Sequence, residues 1–348
     1  MTRHDDQRDH GRLGSSSDGG APEHLTGLDR RSWGEAFKRT AKEFKNDNLT
    51  DWAAALTYYA VLSIFPALLA MVSLLGLFGS TAIQPLIDSI GRLAPGAVRE
   101  ILTTALTNLQ NAQGAGIAFV VGLVAALWSA SGYVAAFMRA ANAVYDMPEG
   151  RPIWVTLPVR LGTTIAVVIL LAVSAVGIVF TGGLAAGAAQ LLGLGETVVR
   201  IWDIAKWPVI LLLVITVLAL LYWAAPNVKH PGFRWLTPGG ALAVLLWLVV
   251  SAGFAFYVAN FGSYNKTYGT FAGVIIFLIW LWLTNIAVLL GVELDAELQR
   301  GRAIAAGGSA DQEPYVQPRS TRKFSDDEAR SVPRQSSREA AGHSGDPR

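Results

Sequence analysis

Apolar and polar positions separate along this chain into long blocks. Six intervals, 52–87, 101–138, 161–195, 207–228, 235–265 and 267–292, contain no Asp, Glu, Lys or Arg, and each runs for 22 to 38 residues. A helix of about 20 apolar residues crosses a hydrocarbon core about 30 Å thick. The pattern therefore predicts six transmembrane helices near 52–78, 115–138, 159–184, 206–225, 238–261 and 269–293. Ahead of them Trp33, Phe37, Ala41 and Phe44 share one helical face, with Lys38, Lys42 and Lys45 opposite. This predicts an amphipathic helix at the membrane interface, with an ordinary surface helix as the alternative. In the first outer loop, 79–114, apolar residues recur at helical spacing on both sides of Pro95. That loop reads as a helical hairpin on the outer leaflet, because Asp88, Arg92, Arg99 and Glu100 would make two further spans costly.

The expected fold is thus an all-α polytopic membrane protein, with its membrane domain over 30–301. Residues 1–29 and 302–348 are polar and read as disordered tails. Composition agrees: 52% of residues are hydrophobic and 16% charged, where a soluble domain carries about 25% charged. No cysteine is present, which excludes disulfides and thiolate metal ligands. The first 50 residues carry no signal-peptide pattern, so the first span is expected to act as an uncleaved anchor.

The net charge of +2 conceals a strong segregation. Of 28 Lys and Arg residues, 23 fall on the side that six spans assign to both tails; Arg92, Arg99, Arg200, Lys206 and Lys266 fall opposite. The positive-inside rule then puts both termini in the cytoplasm.

Side chains that lipid rejects are the candidates for function. In the first span Tyr59, Ser63, Pro66 and Ser73 share a stripe, and Pro66 is expected to kink the helix. The stripe is either one wall of a cavity or a packing face with Ser63 bonded back to its own turn. The second span presents Ala125, Ser129, Gly132 and Ala136, a seam for close helix packing. The fifth aligns Gly253, Tyr257, Asn260 and Tyr264 before a turn containing Tyr268 and Gly269, which reads as a vestibule lining or as an aromatic belt. In the sixth, Asn285 sits deep and Glu293 lies near the inner boundary. Glu293 is expected to pair with Arg139, either as a topology lock or as an inner gate or proton site.

Five segments together, 55–66, 142–146, 226–227, 264–270 and 291–294, resemble the signature stretches of the YihY/BrkB family of bacterial inner-membrane proteins, formerly labelled ribonuclease BN. The likeness covers about residues 33–300, in order and at compatible spacing. It implies a six-helix membrane protein, described in the family as a virulence factor and as a transporter, with related members linked to envelope lipid export. The family supplies no agreed catalytic set. Tyr59, Ser63, Pro66, Asn142, Tyr145, Asn227, Tyr268, Gly269 and Glu293 are therefore carried over only as candidate site or structural positions.

Nuclease chemistry is disfavoured by the residues themselves. Four of the five histidines lie in the tails, leaving His230 alone in an inner loop, and the core acids are scattered singly. No catalytic residue, cofactor, metal or nucleic-acid partner is expected. The leading reading is a transporter or exporter of a lipid, amphiphile or small molecule, its path between the first, fifth and sixth spans. The rival is an envelope scaffold whose outer hairpin binds a partner or a second copy. The bilayer is the expected environment, and a homo-oligomer is compatible with either reading.

Overall fold

The computed structural model describes residues 30–77, 115–179, 189, 195–230, 232–260, 265–307, 309 and 314–331. Helices dominate: α1 Arg30–Asn46, α2 Leu49–Leu77, α3 Ala115–Val144, α4 Ile153–Val179, α5 Glu196–Ala224, α6 Pro238–Asn260, α7 Asn265–Ala305 and the short α8 Asp326–Ser331. Among the described residues the β structure is a single antiparallel bridge, Val228 to Pro318.

Among the described residues, five helices are long and apolar enough to cross a bilayer: the stretches Val120–Val144, Ile153–Ser174, Thr197–Ala224, Pro238–Tyr257 and Gly273–Ala305 of α3 to α7. The outward surface is what lipid requires. Val124, Trp128, Ile169, Leu212, Val249 and Phe256 are all exposed, a display that water would penalise and hydrocarbon does not. α2, with 29 residues, is as long as its neighbours; its side chains beyond Ile64 lie outside the described residues, as do the expected outer hairpin and residues 1–29. The helix passes through Pro66 without a break.

Helices outrun the charge-free intervals. α3 continues past Arg139 to Val144, α5 begins ten residues before position 206, and α7 extends to Ala305. At about 1.5 Å per residue, the 41 residues of α7 reach roughly 60 Å, twice the hydrocarbon thickness. Absence of charge marks the membrane, whereas a backbone that already satisfies its own hydrogen bonds has no reason to unwind where lipid ends.

The bundle is built around α2, α3 and α7. α2 packs most extensively on α3, α6 on α7, and α4 links α3 to α5. Two glycines set the α6–α7 crossing: a Cβ on Gly239 would lie 1.9 Å from the Gly291 carbonyl oxygen, and one on Gly291 would lie 2.3 Å from Tyr222 Oη. Small residues of this kind let membrane helices approach to backbone contact. Polar tips then stitch the helices. Trp282 Nε1 donates to the Thr50 carbonyl, Trp280 Nε1 to Ser251 Oγ, and Tyr222 Oη to the Val288 carbonyl.

α1 lies against the end of α7 through Ala36, Leu294 and Leu298, with Trp33 and Leu242 alongside, and Arg39 pairs with Glu297. Its packed face is therefore centred on Ala36 and Thr40, one position from the expected Phe37 and Ala41, which stay exposed. A left-handed residue ends each of α1 and α3: Asn48 at φ 51° and Asp146 at φ 49°. Both are residue types that tolerate this region.

The C-terminal tail departs from expectation. Residues 314–331 fold back as a strap over the ends of α3, α4 and α5. Lys229 N donates to the Gln317 carbonyl, Arg319 N to the Asn227 carbonyl, and Lys323 N to the Gly150 carbonyl. Composition marked this stretch as unable to build a core of its own; it binds through backbone pairing, through the Asn227–Ser320 bonds, and by packing Val316 and Phe324 against the main core.

Candidate functional site

The two short connections at one end of the bundle, 145–152 and 225–237, meet α1, the end of α7 and the strap. This tail end holds three of the sequence candidates, two of them, Asn142 and Asn227, in one hydrogen-bonded knot with Tyr145 beside it. Asn227 is fully buried. Its Nδ2 donates to the Pro148 carbonyl at 3.0 Å and the Ser320 carbonyl at 2.9 Å, while its Oδ1 accepts Ser320 N at 3.1 Å. Its own N–H donates to Asn142 Oδ1 at 2.7 Å, and Asn142 Nδ2 donates to Glu149 Oε2 at 3.0 Å. Tyr145 is buried and accepts Gln299 Nε2 at 2.8 Å.

Arg151 closes the knot. Its guanidinium holds both Glu149 oxygens and donates to the Ala224 and Ala225 carbonyls, occupying carbonyls that the end of α5 would leave unpaired. Burial alone would raise the Glu149 carboxyl, but the Arg151 side-chain and backbone bonds, with Asn142, hold it below the ordinary carboxylate range. Arg151 and Glu149 were missed from sequence, although two opposite charges in an eight-residue connection were a usable signal.

At mid-bundle a second chain of bonds joins three helices. Tyr133 Oη of α3 donates to Asn285 Oδ1 at 2.9 Å, Asn285 Nδ2 of α7 donates to Thr57 Oγ1 of α2 at 3.0 Å, and Thr57 Oγ1 donates to the Ala53 carbonyl at 2.8 Å. Asn285 is thus engaged as a lock between helices. Ser63 donates back to the Tyr59 carbonyl at 2.8 Å, the packing alternative for the first-span stripe. Tyr59 lays its ring over Gly132, where a Cβ would stand 3.0 Å from Cδ1. Ser131, adjacent to that seam, accepts Arg160 through both its carbonyl and its hydroxyl, an α3–α4 tie that hydropathy alone did not suggest.

Glu293 is buried beside Asp47, Glu43 and Glu297, and its Oε2 has no hydrogen-bond partner. The expected pair with Arg139 is not among the ion pairs of the described residues. The chain's turn at Asn48 brings the end of α1 against this part of α7 instead, which periodicity could not foresee. Tyr257 stands half-exposed on α6, apart from the other candidates. The side chains of Pro66, Asn260, Tyr268 and Gly269 lie outside the described residues.

Two spaces remain. A sideways-open apolar groove of about 520 Å³ lies between α2 and α7, lined by Ala54, Thr57, Tyr58 and Val61 on one side and Ile275, Leu278, Ile279 and Trp282 on the other. A small cavity of about 60 Å³ with several polar lining groups sits at the tail end, between the ends of α3, α5 and α7 and the 225–237 connection. Among the described residues, no three His, Asp or Glu side chains are placed to hold a metal ion.

A bundle of long lipid-facing helices tied by polar knots is an integral, multi-pass membrane protein. Residues 40–315 match the family described as Virulence factor BrkB, and the chain belongs to that family. It is 32% identical over 269 residues to the ribonuclease-like protein YfkH of Bacillus subtilis, covering 76% of this chain and 93% of that one. It is 26% identical over 296 residues to a UPF0761 membrane protein of Aeromonas salmonicida, covering 80% and 93%. With a UPF0761 membrane protein of Nitrosospira multiformis it shares 27% over 276 residues, 74% of this chain but 59% of the relative. Several curated relatives are therefore longer, this chain spanning about six-tenths of their length. No solved structure matches.

Proposed function

We propose that this chain moves or holds a lipid or another amphiphile in the bacterial inner membrane, taking its acyl part into the groove between α2 and α7. The observation that carries this reading is the groove itself. It is apolar, opens to the side where lipid lies, and offers about 520 Å³, in the range of small-molecule sites. Tyr58 at its edge is 60% exposed and supplies a polar tip beside an apolar wall, the arrangement that suits an amphiphile.

The path expected through Ser63 and Asn285 gives way to this one. Both residues spend their hydrogen bonds within the bundle, so neither offers a polar step for a substrate. The reading assigns no catalytic role to the chain, although one relative is named ribonuclease-like. It keeps six spans, with both termini cytoplasmic, from the charge distribution.

Filling the groove tests it. Val61→Trp and Ile279→Trp, reconstituted in liposomes carrying a fluorescent lipid, are expected to slow its transfer between leaflets at least five-fold relative to the unsubstituted chain. Transfer at the unsubstituted rate in both variants, with insertion intact, would reject the groove as the site.

A further inference from the structure

The 60 Å³ cavity at the tail end is separate from the groove and independent of the lipid reading. It has room for about four waters or one tetrahedral oxyanion. Its walls mix apolar surface with polar groups, several of which are already engaged. Tyr222 Oη donates to Val288. Thr237 Oγ1 accepts Gly240 N, and the Asp295 carboxylate accepts Gly239 N at 2.8 Å, at the start of α6.

Two lining groups still have capacity. Tyr145 Oη accepts from Gln299, which leaves its own proton to donate. Burial raises its ionisation well above the ordinary tyrosine value, so that proton is retained. His230 Nε2 is buried with no hydrogen-bond partner, while the ring's other bond goes to the Tyr222 backbone. In that tautomer Nε2 is an acceptor. Arg234 and Arg302 also line the space, both with interactions of their own and Arg234 within electrostatic reach of Asp295; against that single carboxylate the walls still carry a net positive charge.

The required ligand is then specific in kind. It must bring negative charge to a net positive wall, accept a bond from a phenol, and donate one hydrogen bond to an imidazole nitrogen. We infer that this cavity binds a hydrogen-bearing oxyanion, a phosphate or phosphate monoester, through Tyr145, His230, Arg234 and Arg302. A phosphate monoester near neutral pH holds one proton on part of its population, because its second ionisation lies near pH 6. Sulfate has the same shape and charge and no proton to give. The cavity lies at the bundle end, where either a free phosphate or a lipid phosphate headgroup can present this chemistry.

The test uses the full chain in phosphatidylcholine nanodiscs at pH 6.5. The unfolding midpoint is followed while inorganic phosphate or sulfate is titrated, and separately in nanodiscs containing phosphatidic acid. A bound ligand raises the midpoint by mass action. The expected result is a saturable rise with phosphate or phosphatidic acid, with phosphate at least ten-fold tighter than sulfate. A response to phosphate alone identifies a soluble ligand, and one to phosphatidic acid alone a lipid headgroup; either supports the site. Arg302→Gln is expected to weaken binding at least ten-fold, and Tyr145→Phe, which keeps the ring, about five-fold. His230→Phe is expected to erase the preference over sulfate. No saturable response to either phosphate probe, equal binding of sulfate by the unsubstituted chain, or unchanged binding in both Arg302→Gln and Tyr145→Phe would overturn the assignment.

Discussion

The amide of Asn285 accepts a hydrogen bond from Tyr133 and donates one to Thr57, so one side chain joins three helices. Interhelical polar bonds in membranes average about 0.6 kcal/mol and reach about 1.7. Asn285→Leu is accordingly expected to cost about 1–2 kcal/mol in reversible unfolding from mixed micelles, and Tyr133→Phe to cost nothing further on that background. His230 makes a different kind of prediction, because its imidazole is pushed down to about 4 by burial and by the nearby Arg319 guanidinium. The strap's Arg319, the α3-end Tyr145, and the cavity's Arg234, Asp295 and Arg302 all face this region. An unfolded histidine takes its proton near pH 6.5, whereas the folded one resists until about 4. Between those values the unfolded state binds more protons, so stability falls with acid, by at most about 3 kcal/mol. His230→Asn should flatten this slope between pH 6.5 and 4, as read by the unfolding midpoint, and saturating phosphate should reduce it.

Between elements, backbone approaches decide more than side-chain bonds. A Cβ on Gly291 would meet Tyr222 Oη at 2.3 Å and the Gly239 carbonyl at 2.5 Å, and neither partner can retreat cheaply. Gly291→Ala is expected to cost about 1–3 kcal/mol by overpacking, whereas Gly253→Ala, with nothing within 4 Å, should be silent in the same assay. Both glycines look alike as letters in an apolar run. Charge-free length announced the helices, because lipid penalises every charge alike, and it located the class of fold without any knowledge of neighbours. The polar stripes were visible for the same reason, yet their partners were not. Asn285 was singled out by depth, but Thr57 and Tyr133 could be assigned to it only after helix rotation was known. Asn142, Tyr145 and Asn227 came from family resemblance, whereas Arg151 and Glu149, which complete their knot, sit in a connection too short to show a period. The strap was invisible for a further reason: much of its binding uses backbone groups, which every residue has, and its apolar anchors Val316 and Phe324 are too few to show a period.

At the scale of the molecule, the knot, the strap and the chain's charge segregation concern one end of the bundle. A Cβ on Gly150 would stand 2.0 Å from the Ser320 carbonyl, so Gly150→Val is expected to release residues 314–331, read as at least ten-fold faster amide exchange there, with α3 and α7 unchanged. The same end should face the cytoplasm. The strap and α1 both pack at this end, which requires that the chain cross the membrane an even number of times between them, and the excess of Lys and Arg selects the side. Five apolar helices stand among the described residues, so α2 must supply the remaining crossing if the count is six. Because the sequence has no cysteine, single substitutions give clean reporters. Ser17→Cys and Ser336→Cys are expected to resist a membrane-impermeant maleimide in intact cells and to react after lysis, whereas Ser89→Cys, beyond the first span, should react in intact cells. Labelling of Ser17→Cys but not Ser336→Cys before lysis would mean an odd number of crossings. Equal protection of Ser89→Cys and Ser17→Cys would mean that α2 does not cross at all, and the groove between α2 and α7 would then open onto a different medium from the one its apolar walls demand.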